Sequence, residues 1–361
     1  MFFSRRFFLL SLCICLFSLI TAETSVFGVP SKQKASASLY DASGSYTGPV
    51  EHIFFHPLII YPEIAFPKSR KRGYICDWFV TLAEFNQIIT ELYQRNYVLV
   101  SMKDVYEIKG NSVVRKAFPC PAGKKPLIIS IDDVNYYKTM QTHGMTKQLV
   151  IRKGKIVSLA NSPTGEKVVE RGEVMTVVDA FVAAHPDFSY KGAKGIMALT
   201  GYNGVFGYPT HKTTASDYLS QKAEAIRVAE LFKKTGWEFA SHGYRHLQEG
   251  HISAAKLEAD AKRWREEVEP IIGSTPYHIY PFGDIIMPGK PEIDVLRSYG
   301  FKYFFGVSFS STITEHGSWV YQHRIPIDGK YMMGIVSGSR TKKFMDIAKD
   351  VDPMRVQYFM K

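Results

Sequence analysis

Cysteine is scarce in this chain. Four of the 361 residues are cysteine, at positions 13, 15, 76 and 120, and no Cys-x-x-Cys pair occurs. A dense disulfide scaffold and a cysteine-built zinc module are therefore excluded. Cys13 and Cys15 fall in an apolar N-terminal stretch, which leaves Cys76 and Cys120 for the body of the protein. These two can form one disulfide, worth about 4 kcal/mol in the chain-entropy picture, or remain two separate buried thiols. The residues leave both readings open. Internal repeats are also missing, which excludes a solenoid or a propeller. Beyond residue 22 no apolar run is long enough to cross a membrane. Negative charge is short as well: 45 Lys and Arg against 34 Asp and Glu give a formal net charge of +11. No nucleic-acid recognition motif accompanies that excess, so nucleic acid is not an expected partner. An anionic cell-surface polymer and solvated lysines without a partner are the two readings of the charge.

What is present suits a globular protein. The chain is 45% hydrophobic and 22% charged, enough apolar material for a sizeable core in one large domain or two smaller ones. The N-terminus reads as a secretory signal over residues 1–22. Arg5-Arg6 forms a short positive region, Phe7 to Ile20 is free of charge, and Ile20-Thr21-Ala22 offers small-residue cleavage chemistry. The stretch also leaves an uncleaved anchor open. Leu12 before Cys13 argues against a lipoprotein site. Residues 23–50, rich in Ser, Ala, Gly and Lys, read as a linker. The expected location is secreted or extracytoplasmic, associated with the cell envelope.

From His52 onward strands and helices alternate, with 51–361 read as one domain. Thr81-Leu-Ala-Glu84 is a capping box that opens a helix, and Tyr97 to Val100 is a strand. Residues 141–192 look like an insertion, with a hairpin around Lys153-Gly154 and a helix over Val174–Ala184. Asp217 can cap a helix that Gly236 ends, Ser253 to Ile272 reads as one long helix, and 301–305 and 319–326 as closing strands. The alternation argues for parallel βα units, either a doubly wound sheet or a barrel.

Two segments carry the chemistry. Pro126-Leu-Ile-Ile129 leads into Ser130-Ile131-Asp132-Asp133, and Trp237-Glu-Phe-Ala240 leads into Ser241-His242-Gly-Tyr-Arg-His246. Each is a buried-strand pattern that delivers ligands at its C-terminal end, where α/β folds place their sites. An Asp-Asp pair alone is more often a solvated turn, and two histidines four apart can merely share a helix face. Brought together, two carboxylates and two imidazoles suit a divalent ion, zinc above all, with an open position for water.

These residues resemble the polysaccharide deacetylases of carbohydrate esterase family 4. Ser130-Ile-Asp132-Asp133 is similar to that family's Thr-Phe-Asp-Asp motif, and His242-Gly-Tyr-Arg-His246 to its His-(Ser/Thr)-x-x-His motif. Tyr280-Pro-Phe282-Gly283, Arg324-Ile-Pro326 and Phe55-His56 are supporting likenesses, so the resemblance spans most of residues 51–330. It implies a distorted (β/α) barrel of about seven parallel strands. It implies that Asp133, His242 and His246 ligate a divalent metal and that Asp132 is the general base. The implied reaction removes N-acetyl groups from amino sugars of an envelope polysaccharide, peptidoglycan or an exopolysaccharide. Tyr280 and Phe282 are read as an aromatic wall for the sugar, or else as a buried turn at the barrel rim. No protein partner is indicated.

The departures define the alternatives. Val134 replaces the usual Gly, and Ile279 replaces an Arg that steadies the base, a role Arg324 can take over. The late Leu-His motif that supplies the general acid is missing, and His56, His278 and His323 are the candidates to replace it. A catalytically silent glycan binder on the same fold and an O-acetyl esterase are the competing functions.

Overall fold

Seven of the apolar runs close into one ring. The computed structural model describes residues 39–66, 74–336, 342–346 and 351–360. In chain order its strands are β1 (Glu51–Phe55), β2 (Tyr97–Leu99), β3 (Tyr106–Lys109), β4 (Ser112–Arg115), β5 (Lys125–Ile131), β6 (Thr146–Arg152), β7 (Lys155–Ser162), β8 (Gly165–Val169), β9 (Gly195–Leu199), β10 (Trp237–Ser241), β11 (Tyr277–Ile279), β12 (Tyr303–Val307), β13 (Ile313–Glu315) and β14 (Val320–Pro326). Strands β1, β5, β9, β10, β11, β12 and β14 pair in that order, all parallel, and β14 returns to β1 through Ile53↔Ile325 and Phe54↔Pro326. The ring is a closed parallel barrel with helices outside, as the family resemblance implies, and not the doubly wound sheet that the strand–helix alternation also allowed.

Strand β5 sits at a junction. One of its edges pairs with β1 from Glu51↔Leu127 to Phe55↔Ile131. The other edge is shared, with β2 covering Lys125–Leu127 and β9 covering Ser130 and Ile131. The strand that ends in the Asp pair is thus hydrogen-bonded along both sides.

Period-two alternation decides which side chains fill the barrel. Ile128, Ile196, Ala198, Ala240, Tyr277, Ile279, Tyr303, Phe305 and Val320 face inward as one cluster. Their neighbours Leu127, Ile129, Ile131, Met197, Leu199, Phe239 and Phe304 pack outward in the cluster that includes the helices. Burying each such side chain stabilises by about 1.5–3 kcal/mol. By the same alternation His52, Ser130, Gln322 and Arg324 point inward, and all four are buried.

The helix Leu82–Gln94 begins with the expected capping box: the Thr81 hydroxyl accepts from the Glu84 amide at 3.1 Å, and the Glu84 carboxylate accepts from the Thr81 amide at 2.8 Å. Glu84 also receives Arg355 from the helix Pro353–Met360, at 2.7 and 2.8 Å, both side chains being fully buried. The helices Val174–Ala184 and Tyr218–Thr235 match the reading, and Gly236 ends the second with φ 102. Asp217 occupies the N-cap position, but its carboxylate accepts from Gln221 Nε2 instead of a helix amide.

Several readings need correction. Residues 39–50 are not linker: Tyr40 and Tyr46 form a bridge, Tyr46 and Val50 are buried, and Tyr46 packs edge-on to Phe118. A Ser- and Gly-rich composition hid that aromatic anchor. Residues 1–38, with the signal stretch, lie outside the described residues. Cys76 and Cys120 are free and buried, so the disulfide alternative falls, and burial pushes both thiols up to about 11. The loop before β5 contains the β3–β4 hairpin, turned tightly at Gly110-Asn111. The insertion carries the expected hairpin, with Arg152↔Lys155 around Lys153-Gly154, plus a third antiparallel strand, β8. The long helix of 253–272 breaks at Val268, before Pro270, which has no amide proton to continue it.

Candidate active site

The Asp pair follows β5 directly and His242 follows β10 directly, so both arrive at the C-terminal mouth of the barrel. There Asp133 Oδ1 lies 3.9 Å from His242 Nε2 and 3.7 Å from His246 Nε2. One ligand atom from each of the three residues lies within 4.8 Å of the others. Donors around a tetrahedral zinc are about 3.4 Å apart, given bonds of about 2.0–2.2 Å. The three residues thus fit a divalent ion with a small closure. His242 Nδ1 pairs with the Ile279 carbonyl at 2.8 Å, so Nδ1 carries the proton and Nε2 offers its lone pair. Burial holds His242 down to about 4, against the upward pull of Asp132, and keeps the ring neutral as a ligand must be.

Backbone strain collects here. Asp133, Tyr136, His246 and Phe282 have φ of 60, 61, 54 and 58, in the left-handed region that residues with a Cβ avoid. Such residues cost about 1–3 kcal/mol each and persist where the surroundings fix them, commonly at sites.

Asp132 is held differently. Arg324 Nη1 donates to Oδ1 at 2.7 Å and Nη2 to Oδ2 at 2.9 Å, a two-pronged pair in which the arginine is fully buried. Arg324 is thus a direct partner of Asp132, whereas Ile279 offers no side-chain donor. Burial alone would raise the Asp132 carboxyl; Arg324, His242 and His56 outweigh it and set it at about 2. Asp132 is ionised at neutral pH, directly beside the proposed ligand Asp133.

Three supporting residues escaped the sequence reading. Tyr137 donates to Asp133 Oδ1 at 2.6 Å and lies 3.1 Å from Thr200 Oγ1; burial pushes its phenol far up, so it stays a donor. The Asn135 amide bridges the Thr200 carbonyl and amide and the Gly204 carbonyl, tying the Asp loop to the end of β9. Asp260, on the helix Ala254–Glu267, accepts from the Tyr244 amide at 2.6 Å and the Arg245 amide at 3.1 Å. It grips the turn between the two histidines. One signal existed: Asp260 stands on the apolar face formed by Leu257, Ala261 and Trp264.

Tyr280 is not part of a sugar wall. It is 1% exposed, stacks on Phe304 and meets His278 edge-on, so the alternative of a buried rim turn holds for it. Phe282 is the opposite case: 65% exposed, with its ring 4.3 Å from that of His246. Of the three candidate acids, His278 is buried against Glu249 at 2.7 Å and His323 pairs with the Tyr321 hydroxyl at 3.1 Å. His56 follows β1 at the mouth, packs between Phe54 and Phe79, and acts electrostatically on both Asp132 and Asp328.

No protein-family model and no curated protein matches the chain. Among solved structures it is similar to the Streptococcus pyogenes deacetylase PplD in complex with acetate, at 12% identity and TM-score 0.46, over 84% of this chain and 98% of that one. It is similar to a de-N-acetylase from Aggregatibacter actinomycetemcomitans, at 14% identity and TM-score 0.45, over 78% and 95%. A polysaccharide deacetylase from Bacillus cereus gives 14% identity and TM-score 0.42, over 84% and 69%. At such scores the chemistry has to be derived from the chain's own residues.

Proposed function

We propose that this protein is an exported, metal-dependent N-deacetylase acting on an N-acetylated polysaccharide of a cell envelope, peptidoglycan or an exopolysaccharide. The observation that carries the reading is the pairing of an ionised, arginine-clamped Asp132 with an Asp133–His242–His246 ligand set at the barrel mouth. Asp133, His242 and His246 would hold a divalent ion, zinc by the two imidazoles and one carboxylate, and such an ion would supply a lowered water pKa and a polarised acyl carbonyl. Asp132 accepts the proton of the attacking water. His56 donates a proton to the leaving amine nitrogen as the C–N bond breaks, giving acetate and a free amino sugar. Phe282 offers a face to the sugar ring beside His246. The apolar N-terminal stretch supports export, and the charge of +11 supports attraction to an anionic wall polymer.

The test is acetate release from N-acetylglucosamine oligomers and from peptidoglycan, using metal-stripped protein with and without zinc. Release that requires zinc, and that Asp132→Asn abolishes while zinc stays bound, supports the reading. Release from O-acetylated sugars alone makes the protein an esterase. No release with zinc bound makes it a silent glycan binder.

A further inference from the structure

The barrel interior holds a row of polar side chains that the proposed chemistry does not use. Buried polar groups in an otherwise apolar interior are costly unless fully paired, so their pairing repays tracing. Gln322 Nε2 donates to the Val50 carbonyl at 2.9 Å, which turns Gln322 Oε1 toward His52 Nδ1, 3.0 Å away. His52 Nδ1 must then carry the proton, and Nε2 is left as an acceptor. Ser130 Oγ lies 2.9 Å from that Nε2 and donates to it. The Ser130 oxygen in turn accepts from Arg324 Nη1 at 3.0 Å, the same nitrogen that reaches Asp132 Oδ1. One assignment of protons satisfies every link: Arg324 donates both to the Asp132 carboxylate and to the Ser130 oxygen, and from Ser130 the donations pass through His52 and Gln322 to the Val50 carbonyl.

We infer that His52 and Ser130 are positioning residues that act through Arg324 to fix the orientation of the Asp132 carboxylate. Arg324 has few other restraints: its Nε reaches the Gly306 carbonyl only at 3.4 Å, and its guanidinium lies 4.2 Å above the Phe54 ring. Without Ser130 the guanidinium keeps its charge attraction to Asp132 but loses the bond that sets its plane. Without His52 the Ser130 hydroxyl loses its acceptor and can turn its proton toward Arg324. The row thus converts burial of a few neutral groups into a fixed direction for the base. The inference rests on Asp132 being the base of the proposed reaction.

The experiment is Ser130→Ala against Ser130→Thr in the full chain, with zinc content and thermal midpoint measured on each. Expected are a kcat loss of roughly 10- to 100-fold for Ser130→Ala, an unchanged KM and zinc content, and recovery in Ser130→Thr, which restores the hydroxyl. In an Arg324→Lys background the Ser130→Ala change should cost nothing further, because its route to Asp132 is already gone. A full independent loss in that background, or a loss confined to KM or stability, overturns the inference. A second readout needs no turnover: nitrogen NMR of labelled protein should show His52 as the neutral Nδ1–H tautomer, switching or averaging in Gln322→Leu. An Nε2–H tautomer in the wild type overturns the row even if the chain proves not to be a deacetylase; an inactive wild type with the expected tautomer overturns the proposed function alone.

Discussion

The two loops that meet at the mouth are built on opposite principles. The Asp loop is secured by side chains: Arg324 clamps Asp132, Tyr137 holds Asp133, and Asn135 anchors the turn to β9. The His loop is secured through backbone: a carbonyl fixes His242, and Asp260 holds two loop amides. The Asp loop is buried throughout, whereas the His246 side chain keeps 16% of its surface and leans on the exposed Phe282. The carboxylate side is the more closely held, and the rim imidazole of His246 is the most exposed of the three grouped side chains.

The largest blow to this contrast is Arg324→Met. It strands a buried carboxylate, and losing one partner of a buried pair costs about 3–5 kcal/mol. Chemical denaturation should show that loss together with abolished turnover, and a stable variant would mean the Asp side is less tightly determined than the geometry says. Next comes Asp260→Ala, which frees the Tyr244 and Arg245 amides. Zinc binding by calorimetry should weaken roughly 10- to 100-fold with the fold intact, and unchanged affinity would remove backbone control from the His side.

The smallest effect concerns pH. Glu173, fully buried at the start of the helix Val174–Ala184, pairs through Oε2 with the Leu58 amide and acts on Tyr136 just past the Asp pair. Burial raises its carboxyl from 4.5 to about 8. The folded protein therefore holds a proton that the unfolded chain releases, and stability falls as pH rises through that window. Glu173→Gln should flatten the slope between pH 4.5 and 8 in denaturation midpoints, and an unchanged slope would assign it to other groups.

The legible parts of this molecule are those that local pattern controls. The barrel strands show as short apolar runs, the Thr81–Glu84 cap by its spacing, and the Asp and His pairs by lying at strand ends. That Arg324 pairs with Asp132 was readable only through the family resemblance, in which Ile279 stands where an Arg is usual. What stayed hidden depends on contacts between distant residues. Asn135 and Tyr137 reach Thr200 and Gly204 across 63 to 69 positions, and Asp260 reaches Tyr244 across 16, to loops whose approach the closed barrel creates. Tyr280 misled because an aromatic residue at a rim reads the same whether it faces sugar or core; its neighbour Phe282 differs through a backbone angle that no side-chain pattern encodes.

Barrel closure also sets a timetable. β1 is made first, yet its partner β14 is the last strand of the ring, and Arg355, which satisfies the buried Glu84, comes later still. During synthesis the early strands therefore carry an open edge until almost the whole chain exists. A chain emerging at about 5–20 residues per second stays unclosed for many seconds.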